Sequence, residues 1–326
     1  TRDLGDDQAH IKYYLYSKVS MSDTTPETHG IAVDRSSVSD DLPIDDNRQR
    51  ARFEGIVRRL GKPYAQGERY AIYNGDSVQL LDQLVDGTVD LTFTSPPYNI
   101  GKEYERVLPL DEYVAWCSTW MNKLYRVTAP DGSFMLNLGY VEFPGRAKNL
   151  PLTYLLWDKT PFFLVQEIVW NYGAGVAAKF SLSPRNEKVL WFVKSRDQYT
   201  FNLDDIRDPD VAYPNQKKKG KLRCNTIGKN PSDVWQIAKV TSGEGRASKE
   251  RMPHPAQFPR DLVERAVKGF SPAGGVVLDP FLGSGSTADT SLRTGRFCIG
   301  FELRKDYCEI ASERLRAAQE DARSLF

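Results

Sequence analysis

The apolar run Val89-Asp90-Leu91-Thr92-Phe93-Thr94 stops abruptly at Ser95-Pro96-Pro97-Tyr98, and this junction constrains the fold more than any other feature of the chain. A run of this length and composition suits a buried strand. Two successive prolines can neither continue a ladder nor enter a helix: each lacks an N–H, and each drives the residue before it out of the helical region. The strand therefore ends in a stiff loop presenting a hydroxyl, a backbone carbonyl and an aromatic face. A turn that merely closes the strand is the simpler reading of that loop. A second motif, near residue 280, weighs against it.

That motif is Val276-Val277-Leu278-Asp279-Pro280-Phe281-Leu282-Gly283-Ser284-Gly285-Ser286-Thr287-Ala288, a strand, a tight glycine turn and a helix start. Gly283 and Gly285 let the backbone approach a ligand, and the amides opening the helix at Ser286 offer donors. Glu302 closes the next strand, where a carboxylate can accept hydrogen bonds from both hydroxyls of a ribose. Gly283-x-Gly285-x-x-Ala288 with a later acid is also the dinucleotide fingerprint, so a nicotinamide-dependent dehydrogenase is the competing reading. Two details favour an adenosyl ligand. Asp279 ends its strand with a carboxylate suited to a cationic group rather than a pyrophosphate, and no second nucleotide half follows the motif.

Strand and helix alternate from Arg69 onward. Strands are expected at 70–74, 89–94, 133–138, 163–170, 189–194, 276–279 and 296–301, and helices at 77–84, 110–127, 151–159, 259–270, 286–294 and 305–319, with a basic helix at 50–60 before them. The alternation predicts an α/β fold, a mostly parallel sheet covered on both faces. Residues 1–47 read as a disordered acidic tail, with Met21-Ser22-Asp23 resembling a start and 1–20 lying upstream of it. Residues 48–201 and 253–326 read as the catalytic and cofactor-binding halves of one domain. Between them, 202–252 is polar, basic and too long for a passive connection.

The formal net charge is only +1, because the acidic tail offsets a basic remainder. Positive charge is densest at Lys217, Lys218, Lys219, Lys221 and Arg223, followed by Arg246, Lys249 and Arg251. A solvated loop accounts for such a run as readily as a phosphate-binding surface does, and the latter is the sharper reading. No apolar run is long enough to span a membrane, and no signal peptide is legible. The 4 cysteines are scattered without CxxC spacing, so no metal site is expected, and reduced thiols point to the cytoplasm.

Together, Thr94-Ser95-Pro96-Pro97-Tyr98 and Asp279-Pro280-Phe281-x-Gly283-Ser284-Gly285-Ser286 resemble the two hallmark motifs of DNA amino-methyltransferases, which use S-adenosylmethionine. Asn74-Gly75-Asp76-Ser77 looks like the family's adenine-side acid motif. Ser183-x-Arg185-x-Glu187 and Asn230-Pro231-Ser232-Asp233-Val234-Trp235 are similar to segments of its bacterial members. His254-Pro255-Ala256-Gln257-Phe258-Pro259 resembles a His-Pro-x-Gln-Lys-Pro element, with Phe258 in place of Lys and one polar contact in doubt. The catalytic motif precedes the cofactor motif, the permuted order of the β class.

The resemblance, over about 69–316, implies a Rossmann-like methyltransferase fold with a seven-stranded sheet, one strand antiparallel, and 202–252 as a target-recognition insertion. It implies that Ser95, Pro96, Pro97 and Tyr98 hold a flipped base in duplex DNA, with Tyr98 stacking on it. Asp76, Thr94, His254, Asp279, Pro280, Phe281, Gly283, Ser284, Gly285, Ser286 and Glu302 then bind the cofactor. For Asp76 a helix cap is the simpler role, and Trp170, Asn171, Tyr172 and Trp235 read as strand-end packing. Ser rather than Asp before Pro-Pro usually accompanies the N4 amine of cytosine; adenine N6 is the alternative. C5 methylation needs a Pro-Cys nucleophile, which the chain lacks. A silent DNA-binding module, or an enzyme acting on RNA or a small amine, are further alternatives. A cognate restriction endonuclease is an implied partner, and a monomer or homodimer is expected.

Overall fold

The computed structural model describes residues 46–173, 175, 177–240 and 248–324, so the tail expected over 1–47 lies almost wholly outside the described residues. In chain order the elements are α1 (Asp46–Leu60), β1 (Ala65–Gln66), β2 (Tyr70–Asn74), α2 (Ser77–Gln83), β3 (Val89–Thr94) and α3 (Leu110–Val127). There follow β4 (Thr128–Leu138), β5 (Tyr140–Phe143), β6 (Ala147–Pro151), α4 (Thr153–Leu156), β7 (Phe163–Asn171) and β8 (Asn186–Val193). The rest are β9 (Lys217–Lys218), β10 (Lys221–Leu222), β11 (Val234–Gln236), α5 (Arg260–Phe270), β12 (Val276–Asp279), α6 (Ser286–Arg293), β13 (Phe297–Glu302) and α7 (Lys305–Ser324).

One sheet of 9 strands runs in the order β1-β2-β13-β12-β3-β4-β8-β7-β11. Strands β2, β13, β12, β3 and β4 are mutually parallel, and β8 runs against both β4 and β7. The expected seven strands, one of them reversed, thus form the middle of the sheet. Two short strands lengthen it: β1 pairs antiparallel with β2, and β11 parallel with β7.

Alternate side chains feed opposite faces, as the strand period requires. Ala71, Tyr73, Val276, Leu278, Phe297, Ile299 and Phe301 pack under α1, α2 and α3. Their neighbours Tyr70, Ile72 and Cys298 meet α6 and α7, while Leu91, Phe93 and Val277 meet α5. Every residue of β3 is buried, which is why its sequence reads as a continuous run. The buried Asp90 within it pairs with Arg52 of α1 and accepts from the Val276 amide at 2.7 Å.

The site follows from this topology. From β12 the chain passes through α6 to β13, on one side; from β3 it passes through α3 to β4, on the other. Ligands in open α/β sheets bind where the winding reverses in this way, beyond the carboxyl ends of the strands. Here that edge carries Thr94, Asp279 and Glu302.

Two expectations require correction. The helix expected over 151–159 shrinks to α4, because the β5–β6 hairpin claims the chain through Pro151. The segment 202–252, expected as an insertion between the two halves, contributes to the sheet itself, since Val234–Gln236 joins β7 and buries Trp235.

Candidate active site

The Pro-Pro loop is fixed from both sides. Tyr113 of α3 donates to the Pro97 carbonyl at 2.8 Å. Beyond Tyr98 the chain turns at Asn99, whose φ is 63°, and the Glu105 carboxylate accepts from the amides of Asn99, Ile100 and Lys102 at 2.7–3.0 Å. Gly139 lies so close to the Tyr98 ring that a Cβ there would sit 2.8 Å from it. Ser95, Pro96, Pro97 and Tyr98 consequently line one wall of a cavity of about 460 Å³.

The opposite wall is the glycine turn. Asp76, Asp279, Pro280, Phe281, Gly283, Ser284, Ser286, Glu302 and His254 all line the same cavity. The two walls are joined directly, since Leu91 and Thr92 pair with Val277 and Leu278 and the Thr94 hydroxyl donates to Asp279 Oδ1 at 2.7 Å. Asp279 also accepts from the Phe281 amide at 3.1 Å, and burial pushes its carboxyl up to about 6. Glu302 accepts from the amides of Gly283 and Arg304, both at 2.8 Å, and its carboxyl is likewise raised by burial. Phe281 stands against Trp116 and Trp120, with ring centres 5.7 and 5.2 Å away.

His254 seals the edge of the turn. Its ring packs against Tyr104 and Tyr307, its Nδ1 accepts from the Ala256 amide at 3.2 Å, and burial holds it down at about 4, so it is neutral at pH 7. Gly283, at φ 54°, must be glycine on two counts: a Cβ would be strained there and would lie 2.9 Å from His254 Nε2. Gly285, at φ 79°, precedes α6 and packs against Ala311; neither it nor Thr94 lines the cavity. The Ser286 hydroxyl is committed to the Phe258 carbonyl and to Arg314. Asp76 Oδ1 accepts from the Gln79 amide at 3.0 Å, so this residue caps α2 as well as lining the cavity. Phe258, which stands in place of the motif's Lys, is buried against Phe93 and Trp170, so the side chain at that edge packs hydrophobically.

Four residues at the site, given no chemical role by the sequence, are Asn137, Glu187, Lys239 and Tyr172. Glu187 accepts from Tyr98 and Asn137, and Lys239 reaches it at 2.9 Å while standing 3.6 Å from the Tyr172 ring centre. Asn137 carried a signal, a carboxamide inside the apolar strand Phe134–Leu138. Trp170 and Trp235 are buried packing residues as expected, although Trp170 also lines the cavity.

The basic residues lie apart from this cavity. Lys217, Lys218, Lys221 and Arg223 belong to the exposed β9–β10 hairpin, which reverses at Lys219-Gly220 with φ 49° and 78°. Positive φ at both positions is the signature of a two-residue hairpin turn matched to strand twist. Lys249 and Arg251 are exposed, and Arg246 falls outside the described residues. No helix among the described residues is long and apolar enough to cross a membrane.

The geometry agrees with what the chain is similar to. A family model described as DNA methylase, covering N6 and N4 methyltransferases, matches residues 89–313. The type II methyltransferase M.ScaI of Streptomyces caespitosus is 56% identical over 84% of this chain and 90% of its own length. The DNA adenine methyltransferase YhdJ of Escherichia coli is 31% identical over 77% and 84%. Among solved structures, the PvuII DNA methyltransferase (cytosine-N4-specific) superposes with a TM-score of 0.62 at 22% identity, over 78% of this chain and 88% of that one, a likeness of fold.

Proposed function

Because the chain belongs to the N6/N4 family of DNA methylases, we propose that it methylates the exocyclic N4 amine of cytosine at a specific site in duplex DNA. It is a DNA methyltransferase of the type II, restriction–modification kind, and S-adenosylmethionine is its cofactor. The residues present fit that cofactor. Buried Asp279 and half-buried Glu302 offer carboxylates to an ammonium and a ribose, Phe281 offers an aromatic face, and the absence of a Cβ at Gly283 keeps the turn open. When bound, the cofactor supplies an electrophilic methyl group on a sulfonium.

The protein's own part is to hold and dry the amine. An amine conjugated to a pyrimidine ring is a poor nucleophile, because its lone pair is delocalised. In this reading the Ser95 hydroxyl and the Pro96 carbonyl, both of residues lining the cavity, accept from its two N–H bonds and draw the nitrogen toward tetrahedral geometry. Alignment in a pocket walled by Trp170, Tyr172 and Phe281 supplies most of the acceleration. The base reaches this depth only by leaving the duplex. The hairpin at Lys217–Arg223 contacts phosphates, and residues up to Arg251 read base edges. A cognate endonuclease cutting the same sequence is the proposed partner.

One observation carries the choice of base: the acceptor at the head of the Pro-Pro loop is the hydroxyl of Ser95, not a carboxylate. Adenine N6 is the second reading, favoured by the similarity to YhdJ. The test is mass spectrometry of nucleosides from DNA of a methylation-free host expressing this chain. N4-methylcytosine is the expected product. N6-methyladenine would overturn the base and keep the family chemistry; DNA without new methylation would overturn both.

A further inference from the structure

The hydrogen bonds behind the Pro-Pro loop all point one way. Ser95 Oγ donates to Tyr98 Oη at 2.7 Å, and Tyr98 Oη donates to Glu187 Oε2 at 3.0 Å. Asn137 Nδ2 donates to both Tyr98 Oη, at 2.6 Å, and Glu187 Oε2, at 2.7 Å. Lys239 Nζ holds the other carboxylate oxygen at 2.9 Å. A tyrosine hydroxyl has one proton and two lone pairs. With Ser95 and Asn137 occupying the lone pairs, the Tyr98 proton is left for an acceptor: Glu187 is nearer than the Asn137 carbonyl, which is 3.4 Å away. A row of donors that begins at the nucleophile's acceptor and ends on a carboxylate is more than a structural brace needs.

We propose that Glu187 is the terminal proton acceptor of amine methylation, reached through Ser95 and Tyr98. The inference rests on the methyl-transfer reading but not on the choice of base. As the amine nitrogen bonds to the methyl carbon, the carbon–sulfur bond breaks and its electron pair stays on sulfur. The nitrogen now carries the positive charge. Its proton passes to Ser95 Oγ, the Ser95 proton to Tyr98 Oη, and the Tyr98 proton to Glu187. A cationic sulfonium and an anionic carboxylate become a thioether and a carboxylic acid, with the methylated amine neutral, so the charge balances without an external base. Glu187 touches no substrate in this scheme. It is a positioning and relay residue acting through Tyr98, with Asn137 and Lys239 fixing its orientation.

Glu187→Gln keeps the side-chain shape and removes the proton acceptor. Tyr98→Phe keeps the ring that faces the base and removes the link. The expected result is a single-turnover methylation rate about 10²-fold lower in either variant. The double variant should be little slower than the singles, because both cut one path. Dissociation constants for cofactor and duplex should stay within about threefold of wild type. An independent readout uses the protein without cofactor or DNA: in ring-labelled tyrosine, the Tyr98 hydroxyl proton should exchange slowly with water and shift in Glu187→Gln. A wild-type rate in Glu187→Gln, multiplicative losses in the double variant, a rapidly exchanging Tyr98 hydroxyl, or loss of binding in place of rate would each overturn the relay. If the wild-type enzyme methylates no DNA, the functional reading fails instead.

Discussion

The turn at Gly283 and the hairpin at Lys219-Gly220 are both reversals made at positive φ, yet they sit in opposite surroundings. Around the first, every residue from 282 to 291 is buried. Its amides, carboxylates and aromatic neighbours are each held by a second group: Gly283 by Glu302, Asp279 by Thr94, and Phe281 by Trp116 and Trp120. Around the second, every residue from 212 to 223 is exposed, and two paired strands of 2 residues each make the whole ladder. Methyl transfer depends on where atoms stand to within fractions of an ångström, so the chain over-determines them. Phosphate binding, the role proposed for the hairpin, depends on the number of charges brought near the duplex, and for that an arm without a core suffices. One part should answer to geometry and proton activity, the other to salt.

The sharpest way to break this contrast is to change the chemistry without touching the cofactor cradle or the hairpin. Ser95→Ala should lower the single-turnover methylation rate by about 10³-fold, the range expected when a positioned acceptor and its hydrogen bonds disappear. Cofactor affinity, measured by calorimetry, should stay within about threefold, because the cradle across the cavity is untouched. Loss of cofactor binding in this variant would mean the two walls are not separable in function. Next in size is the arm. Replacing Lys217, Lys218 and Lys221 with Ala should weaken duplex binding by about 10²-fold at 0.1 M salt, equally for cognate and non-cognate sequences. The slope of log affinity against log salt should flatten by nearly 3, about 0.9 for each phosphate no longer neutralised. A change confined to the cognate sequence would instead place base readout on the hairpin.

The same contrast governs how much was legible beforehand. Strand β3 and helix α3 can be bounded to the residue in the sequence, because burial on both faces writes a continuous apolar run and a single packed face writes helical spacing. The residues of both cavity walls are legible for a related reason: Pro-Pro and Gly-x-Gly advertise backbone geometry that few other sequences allow. The role proposed for Glu187 is not: the Ser183-x-Arg185-x-Glu187 segment marks the residue, but nothing local announces that its carboxylate meets Tyr98 from 89 positions away. Strands β1 and β11, of 2 and 3 residues, are set by a neighbour's free edge rather than by any pattern of their own. Helix α4 loses most of its expected length to the β5–β6 pairing, a tertiary choice between two plausible local states. Phe258 shows the converse: an unexpected residue type becomes intelligible once Phe93 and Trp170 are seen beside it.

The smallest expected effect tests the cofactor wall by pH. Asp279 has its carboxyl raised to about 6 by burial, so it is largely ionised at pH 7 and largely protonated at pH 5. A cationic ligand group prefers the ionised form, so binding releases a proton and affinity falls as pH drops through about 6. Cofactor affinity should therefore be about tenfold weaker at pH 5 than at pH 7, and Asp279→Asn should bind weakly with no such slope. Stability moves the other way. A carboxyl whose folded pKa lies above its unfolded 3.8 takes up a proton on folding, so its contribution to stability is fully present below about 3.8 and is lost as pH rises through about 6. Titrating affinity and the unfolding midpoint together separates the two. Affinity lost on acidification in the wild type but not in Asp279→Asn assigns the effect to this carboxylate rather than to Glu302, whose carboxyl burial also raises. Affinity that is flat between pH 5 and 7 would mean the ligand's cationic group is held elsewhere.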